Sequence, residues 1–107
     1  MATVELTGDN FNDTIGQNPI VFLDFWAAWC GPCQMMAPNF HQAAIDLEPL
    51  ARFAKVDTEQ EQQLAGRFNI RSIPTLAIFK GGREVARQSG ALDLSSLKRW
   101  VQAQLES

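Results

Sequence analysis

Between Ile20 and Trp26 every residue but Asp24 is apolar. A strand apolar on both of its alternating faces is covered on both sides, so this segment is read as a central strand. Beyond it the period changes: Met36, Phe40, Ala43 and Leu47 recur at steps of four, three and four, which is one face of a helix. Pro38 lies inside that helix and is expected to kink it. Phe53 to Asp57 reads as the next strand, and Thr58 to Glu61 has the spacing of a capping box opening a helix that carries Leu64, Ala65 and Phe68. Thr75 to Lys80 is a further strand. Gly81-Gly82 is a tight hairpin signal that leads into Glu84 to Ser89, so the last two strands are predicted to be antiparallel. Asp93 is placed to cap a terminal helix with Leu97, Trp100, Val101 and Leu105 along one stripe. At the start, Thr3 to Leu6 reads as a short strand and Asp9 to Ile15 as a short helix ending near Gly16 and Pro19.

The predicted order is βαβαβαββα, an α/β domain with a mixed sheet. No repeat or Pro/Gly-rich linker divides the sequence, and 107 residues with 46% hydrophobic content suffice for one core, so a single domain over 1–107 is expected. A formal charge of -3 gives no electrostatic reason to expect nucleic acid or an anionic membrane as partner. Met1 to Asp13 hold no Lys, no Arg and no apolar run, so no secretory signal is read there, and Ile20 to Cys33 is too short to span a bilayer. The expected location is the cytoplasm.

Two cysteines occur, Cys30 and Cys33, three positions apart where the central strand gives way to the long helix. Cytosolic thiols are normally kept reduced, which disfavours a purely structural disulfide. The first N–H groups of a helix lack internal partners and carry partial positive charge, so a thiolate is stabilised there. The thiolate is the attacking species in disulfide exchange, which makes Cys30 the candidate nucleophile. Cys33, one turn along, lies at a distance a disulfide tolerates and would close onto Cys30. The first sulfur is expected to be exposed and the second sheltered. Pro32 suits a first helical turn, and Gly31 would let a partner's backbone come close. A zinc site needs two further ligands, and the single histidine, His41, is roughly 12 Å from Cys33 by helical rise. Two rivals stay open: an interaction module in which the cysteines are incidental, and a metal or iron-sulfur site shared between two chains through Cys30 and Cys33.

Asp24 has no water-facing side of its strand to occupy. Burial disfavours the charged form, and a carboxyl with a raised pKa close to a reactive cysteine pair is a candidate proton carrier. Asp24 is therefore expected to take the proton of Cys33, directly or through a water, as that thiol attacks. The alternative is a core Asp hydrogen-bonded to a Ser, Thr or Lys. Lys55 would partner it if their strands are adjacent, and otherwise extends its ammonium to solvent.

These residues together resemble the thioredoxin family. DFWAAWCGPC, Asp24 to Cys33, is similar to the family's strand and active-site signature; Ala37-Pro38, Lys55-Val56-Asp57, Ile73-Pro74-Thr75, Gly81-Gly82 and Gly90 match further along, so the resemblance spans nearly the whole sequence. It is to the bacterial type without the amino-terminal zinc segment some members carry. The resemblance implies a thioredoxin fold, with a five-stranded mixed β-sheet flanked by four α-helices. It implies Cys30 as nucleophile, Cys33 as resolving thiol, Asp24 as buried acid/base and Lys55 as its modulator, and a redox-active Cys30–Cys33 disulfide. It also implies a cis Ile73-Pro74 peptide bond against the cysteines, and a substrate patch of Trp29, Ile73 and Gly90 joined by Gly31, Pro32 and Pro74, with Trp26 under the active-site loop. The Gly-Pro pair resembles that of the reducing members. The implied function is a protein-disulfide reductase serving cell redox homeostasis and electron transport. It would bind no cofactor and no metal and would be fed by NADPH through thioredoxin reductase. Partners would be that reductase and oxidised target proteins, and a monomer is expected. Gln34 and Ser89 depart from the pattern, where a Lys and an aliphatic residue are common, and bear on partner choice. His41, Met35 and Met36 are read as filling or edging the helix packing.

Overall fold

A computed structural model describes residues 3 to 107. Met1 and Ala2, which belong to the expected 1–107 domain and to the segment searched for a secretory signal, lie outside the described residues. The strands are β1 (Val4–Glu5), β2 (Ile20–Trp26), β3 (Arg52–Asp57), β4 (Thr75–Lys80) and β5 (Arg83–Ser89). The helices are α1 (Phe11–Gln17), α2 (Gly31–Leu47), α3 (Gln62–Arg67) and α4 (Leu94–Glu106), with a short 3-10 turn at Glu48–Leu50. The strands form one mixed sheet in the order β1-β3-β2-β4-β5; β1 and β2 run parallel to β3, while β4 is antiparallel to both β2 and β5.

Strand β2 is central, and its apolar run divides between two cores. Val21, Leu23 and Phe25 point to one side and pack with Phe11 and Ile15 of α1 and Leu64 of α3. Phe22 points to the other and packs with Met36, Phe40, Ala43 and Ala44 of α2 and Leu97 and Val101 of α4. Phe22 stacks on Phe53 of β3 with ring centroids 5.1 Å apart, and Phe40 meets Phe53 edge-on at 5.6 Å. Burying each such side chain stabilises the fold by roughly 2 to 3 kcal/mol before chain entropy is counted.

Three local readings are corrected. The first helix begins at Phe11, because Thr7 to Asn10 is held as a turn: Asn10 Oδ1 accepts from Thr7 N at 2.7 Å and Thr7 Oγ1 accepts from Asp9 N at 3.2 Å. The capping box at Thr58 to Glu61 does not form. Thr58 Oγ1 donates to the Trp26 carbonyl at 3.1 Å, and Asp57 Oδ1 takes the N–H groups of Glu59 and Gln60, so α3 begins only at Gln62 and Phe68 falls just past its end. The first strand shrinks to Val4–Glu5, with Leu6 N still bonded to Lys55 O at 2.8 Å. The hairpin turn and the cap of α4 agree with the reading. Gly81 and Gly82 both take positive φ, +60° and +85°, as a two-residue hairpin turn requires. Asp93 caps α4 by accepting from Ser96 N at 2.8 Å, and Pro38 sits on the exposed side of an unbroken α2.

Candidate active site

The end of β2 and the start of α2 meet at Cys30, which is the N-cap of α2 in extended conformation (φ -89°, ψ 110°). Its side chain takes the place of the Ser or Asp common at that position: Cys33 N donates to Cys30 Sγ at 3.2 Å. Pro32 follows within the first turn, where its missing N–H costs nothing. Cys30 and Cys33 are joined as a disulfide with Cα atoms 5.2 Å apart. The pair packs with Ala27, Trp26 and Ile73. A Cβ built on Gly31 would meet nothing within 4 Å, so the space beside the disulfide is open.

One expectation about the sulfurs is wrong. Cys30 is only 4% exposed, barely more than Cys33 at 2%. The reason is the segment before β4: Ile73 packs against the pair with its carbonyl 3.8 Å from Cys30 Sγ, walling the disulfide on that side, and the Ile73-Pro74 peptide bond is cis. The exposed part of the site is Trp29, at 70%, with Gly31, Pro32 and Gly90. Gly90 is fixed to the same wall, since its N–H donates to the Pro74 carbonyl at 2.9 Å, and its φ of +98° is one that residues with a Cβ rarely adopt. The structure thus brings together Trp29, Cys30, Gly31, Pro32, Cys33, Ile73, Pro74 and Gly90.

Asp24 lies on the same face of β2 as Trp26, two residues or roughly 7 Å further back along the strand. It is fully buried, and neither carboxylate oxygen has a hydrogen-bond partner among the described residues. Burial pushes its carboxyl up to about 7; the Lys55 ammonium works in the opposite direction, and the Glu5 charge adds to the rise. The alternative of a hydrogen-bonded core Asp is thereby removed. Lys55 is its cross-strand neighbour on β3, so the strands are adjacent as the pairing required. Asp24 and Lys55 nonetheless make no ion pair: the ammonium lies over the Trp26 ring, 4.8 Å from its centroid.

Three arrangements become visible only in the structure. Glu5, opposite Lys55 on β1, completes a row Glu5, Lys55, Asp24 across the sheet; only the strand register reveals it, and burial raises its carboxyl as well. Gln34 Nε2 donates to the Ala28 carbonyl at 3.0 Å, tying α2 to the loop that carries Trp29. Thr75 and Ser89 join hydroxyls across β4 and β5 at 3.2 Å. Among the described residues no group of three or more His, Cys, Asp or Glu side chains is arranged to hold a metal ion, and no helix is long and apolar enough to cross a membrane.

A family model described as thioredoxin matches residues 2–103. Thioredoxin C-3 of Corynebacterium nephridii is 47% identical over 104 residues, which is 96% of this chain and 71% of that one. Thioredoxin 1 of a Nostoc species is 38% identical over 105 residues, covering 97% and 98% of the two chains. Among solved structures, a mutant thioredoxin from Halobacterium salinarum superposes with a TM-score of 0.88 at 33% identity, covering 98% of this chain and 92% of that one.

Proposed function

The chain belongs to the thioredoxin family, as a thiol-disulfide oxidoreductase with one Cys-x-x-Cys pair, and on that premise we propose that it is a protein-disulfide reductase. The observation that carries this reading is the N–H of Cys33 donated to Cys30 Sγ at the first turn of α2. In the reduced protein the same donor and the aligned peptide dipoles favour a thiolate on Cys30.

Cys30 thiolate attacks one sulfur of a target disulfide, forming a mixed disulfide and releasing the other target sulfur as a thiolate. Cys33 then attacks Cys30 Sγ; the Cys30–Cys33 bond forms, the mixed disulfide breaks, and the target leaves as a dithiol. Two electrons pass to the target. Asp24, poised near neutrality, accepts the proton that Cys33 must lose, and Lys55 sets how readily it does so. Trp29, Gly31, Pro32, Ile73, Pro74 and Gly90 receive the target segment, Ile73 through its backbone. The disulfide is restored to the dithiol by an NADPH-dependent flavoprotein reductase. The protein works as a monomeric single domain in the cytoplasm, without a bound cofactor or metal.

Insulin reduction by the wild type beside Cys33→Ser tests the reading. Turnover by the wild type and a stable mixed disulfide at Cys30 in the variant are expected. A variant that turns over as fast as the wild type would remove Cys33 from the resolving step.

A further inference from the structure

Beside the disulfide, the hydroxyl groups of two strands are arranged in one direction only. Thr75 Oγ1 is buried and donates its single hydrogen to the Ser72 carbonyl at 2.7 Å. It is also 3.2 Å from Ser89 Oγ, its cross-strand neighbour. A hydroxyl has one hydrogen, and that of Thr75 is spent on Ser72, so in the second contact Ser89 must donate and Thr75 accept. Ser89 is exposed, and its oxygen is left with lone pairs and no hydrogen to offer. The polar backbone groups around it are already engaged: Gln88 Nε2 donates to the Ser89 carbonyl at 3.2 Å and Gly90 N to the Pro74 carbonyl at 2.9 Å.

Ser89 also stands at a useful distance from the chemistry. Ile73 O is 3.8 Å from Cys30 Sγ, and Ser89 adjoins the same segment: it pairs with Thr75 at the start of β4, and Gly90 after it is bonded to the Pro74 carbonyl at 2.9 Å. An extended target segment advances roughly 3.3 Å per residue, so its second or third residue from the attacked cysteine reaches this point.

Taking Ile73-Pro74 as the target-binding segment, on which the inference rests, we propose that Ser89 is a specificity-determining residue that presents a hydrogen-bond acceptor, so that the protein favours target segments with a donor side chain two or three residues from their cysteine. An aliphatic residue at this position would select for apolar side chains. Here an acceptor-only side chain is met by lone pairs and loses the interaction, leaving a desolvated group unpaired.

The test uses peptides with one cysteine linked by a disulfide to thionitrobenzoate, whose release is followed by its absorbance. Pairs of peptides differ at one position, second or third from the cysteine on either side: asparagine, or N,N-dimethylasparagine, which keeps the acceptor oxygen and has no N–H. Both are uncharged, and a preference for asparagine set by the Glu59 carboxylate, which lines the hollow beside Trp29 and Ile73, would survive Ser89→Ala. At one position kcat/KM is expected to favour asparagine about fivefold, the yield of one net hydrogen bond. Ser89→Ala should bring that ratio close to one. Thr75→Val is the sharper variant, because it leaves Ser89 in place but frees its hydrogen to donate; the ratio should fall there too, whereas Thr75→Ser, which keeps the hydroxyl chain, should retain it. A ratio near one at every position in the wild type overturns the proposal while leaving the reductase reading intact. So does a preference that survives Thr75→Val, since it would then come from bulk or from another acceptor and not from the direction of the Ser89 hydroxyl. Failure to react with any of the peptides would overturn both.

Discussion

Asp24 is buried at a cost the rest of the strand does not share. Its carboxyl rises from 3.8 to about 7 because burial penalises the charge, and Lys55 offsets only part of that. Between these two values the folded protein holds a proton that the unfolded chain has lost, so the Asp24 contribution to stability is most favourable below pH 4, falls as the pH rises toward 7, and is level beyond it. The full difference corresponds to about 4 kcal/mol. Asp24→Asn should therefore be more stable than the wild type by about 2 to 4 kcal/mol at pH 8 and by almost nothing at pH 4, as read by urea unfolding; a gain independent of pH would contradict the titration. The same variant should slow release of the reduced target more than the first attack, and equal slowing of both steps would end its role as proton acceptor. Lys55→Met removes the one charge that lowers the Asp24 pKa, so the pH dependence of the release step should move to higher pH. At this scale much was legible: two cysteines three apart and one carboxylate in an apolar run identify themselves. What was not legible is accessibility, since the wall that covers Cys30 comes from residues more than forty positions away.

The elements were readable wherever hydrophobic period decides them and unreadable where side chains bond locally to backbone. Strand β2 and the stripes of α2 and α4 follow from pattern alone. Thr58 has the letters of a cap, yet its hydroxyl is drawn to the Trp26 carbonyl, and nothing in the spacing could say that the end of β2 lies there. Gly90 ends β5 at a φ of +98° with open space where a Cβ would be. Gly90→Ala is thus limited by backbone conformation rather than by a clash, and should lose about 1 to 2 kcal/mol in chemical unfolding. An unchanged midpoint would mean that the turn relaxes, in which case the Gly90 N–H to Pro74 carbonyl bond should also be lost and target reduction should weaken.

For the whole molecule, the layering was legible from β2 being apolar on both faces, whereas the strand order was not, because no pattern in β1 or β3 states which neighbour each will pair with. The two cores are expected to hold the fold without the disulfide. The bond links residues three apart, so by chain entropy it adds only about 2 kcal/mol. The oxidised form should melt roughly 10 °C above the reduced form, with both forms cooperative; a reduced form that melts without a cooperative transition would show that the bond, and not the two cores, holds the structure. The sheet's outer strands carry a last consequence. Strand β1 pairs over only two residues, and β5 carries Arg83, Glu84 and Arg87, with Arg87 held by Glu84 and by the Phe68 carbonyl. Neither flank invites a foreign extended chain to add itself to the ladder. Both sides of the sheet are thereby guarded against seeding aggregates of loosened polypeptide.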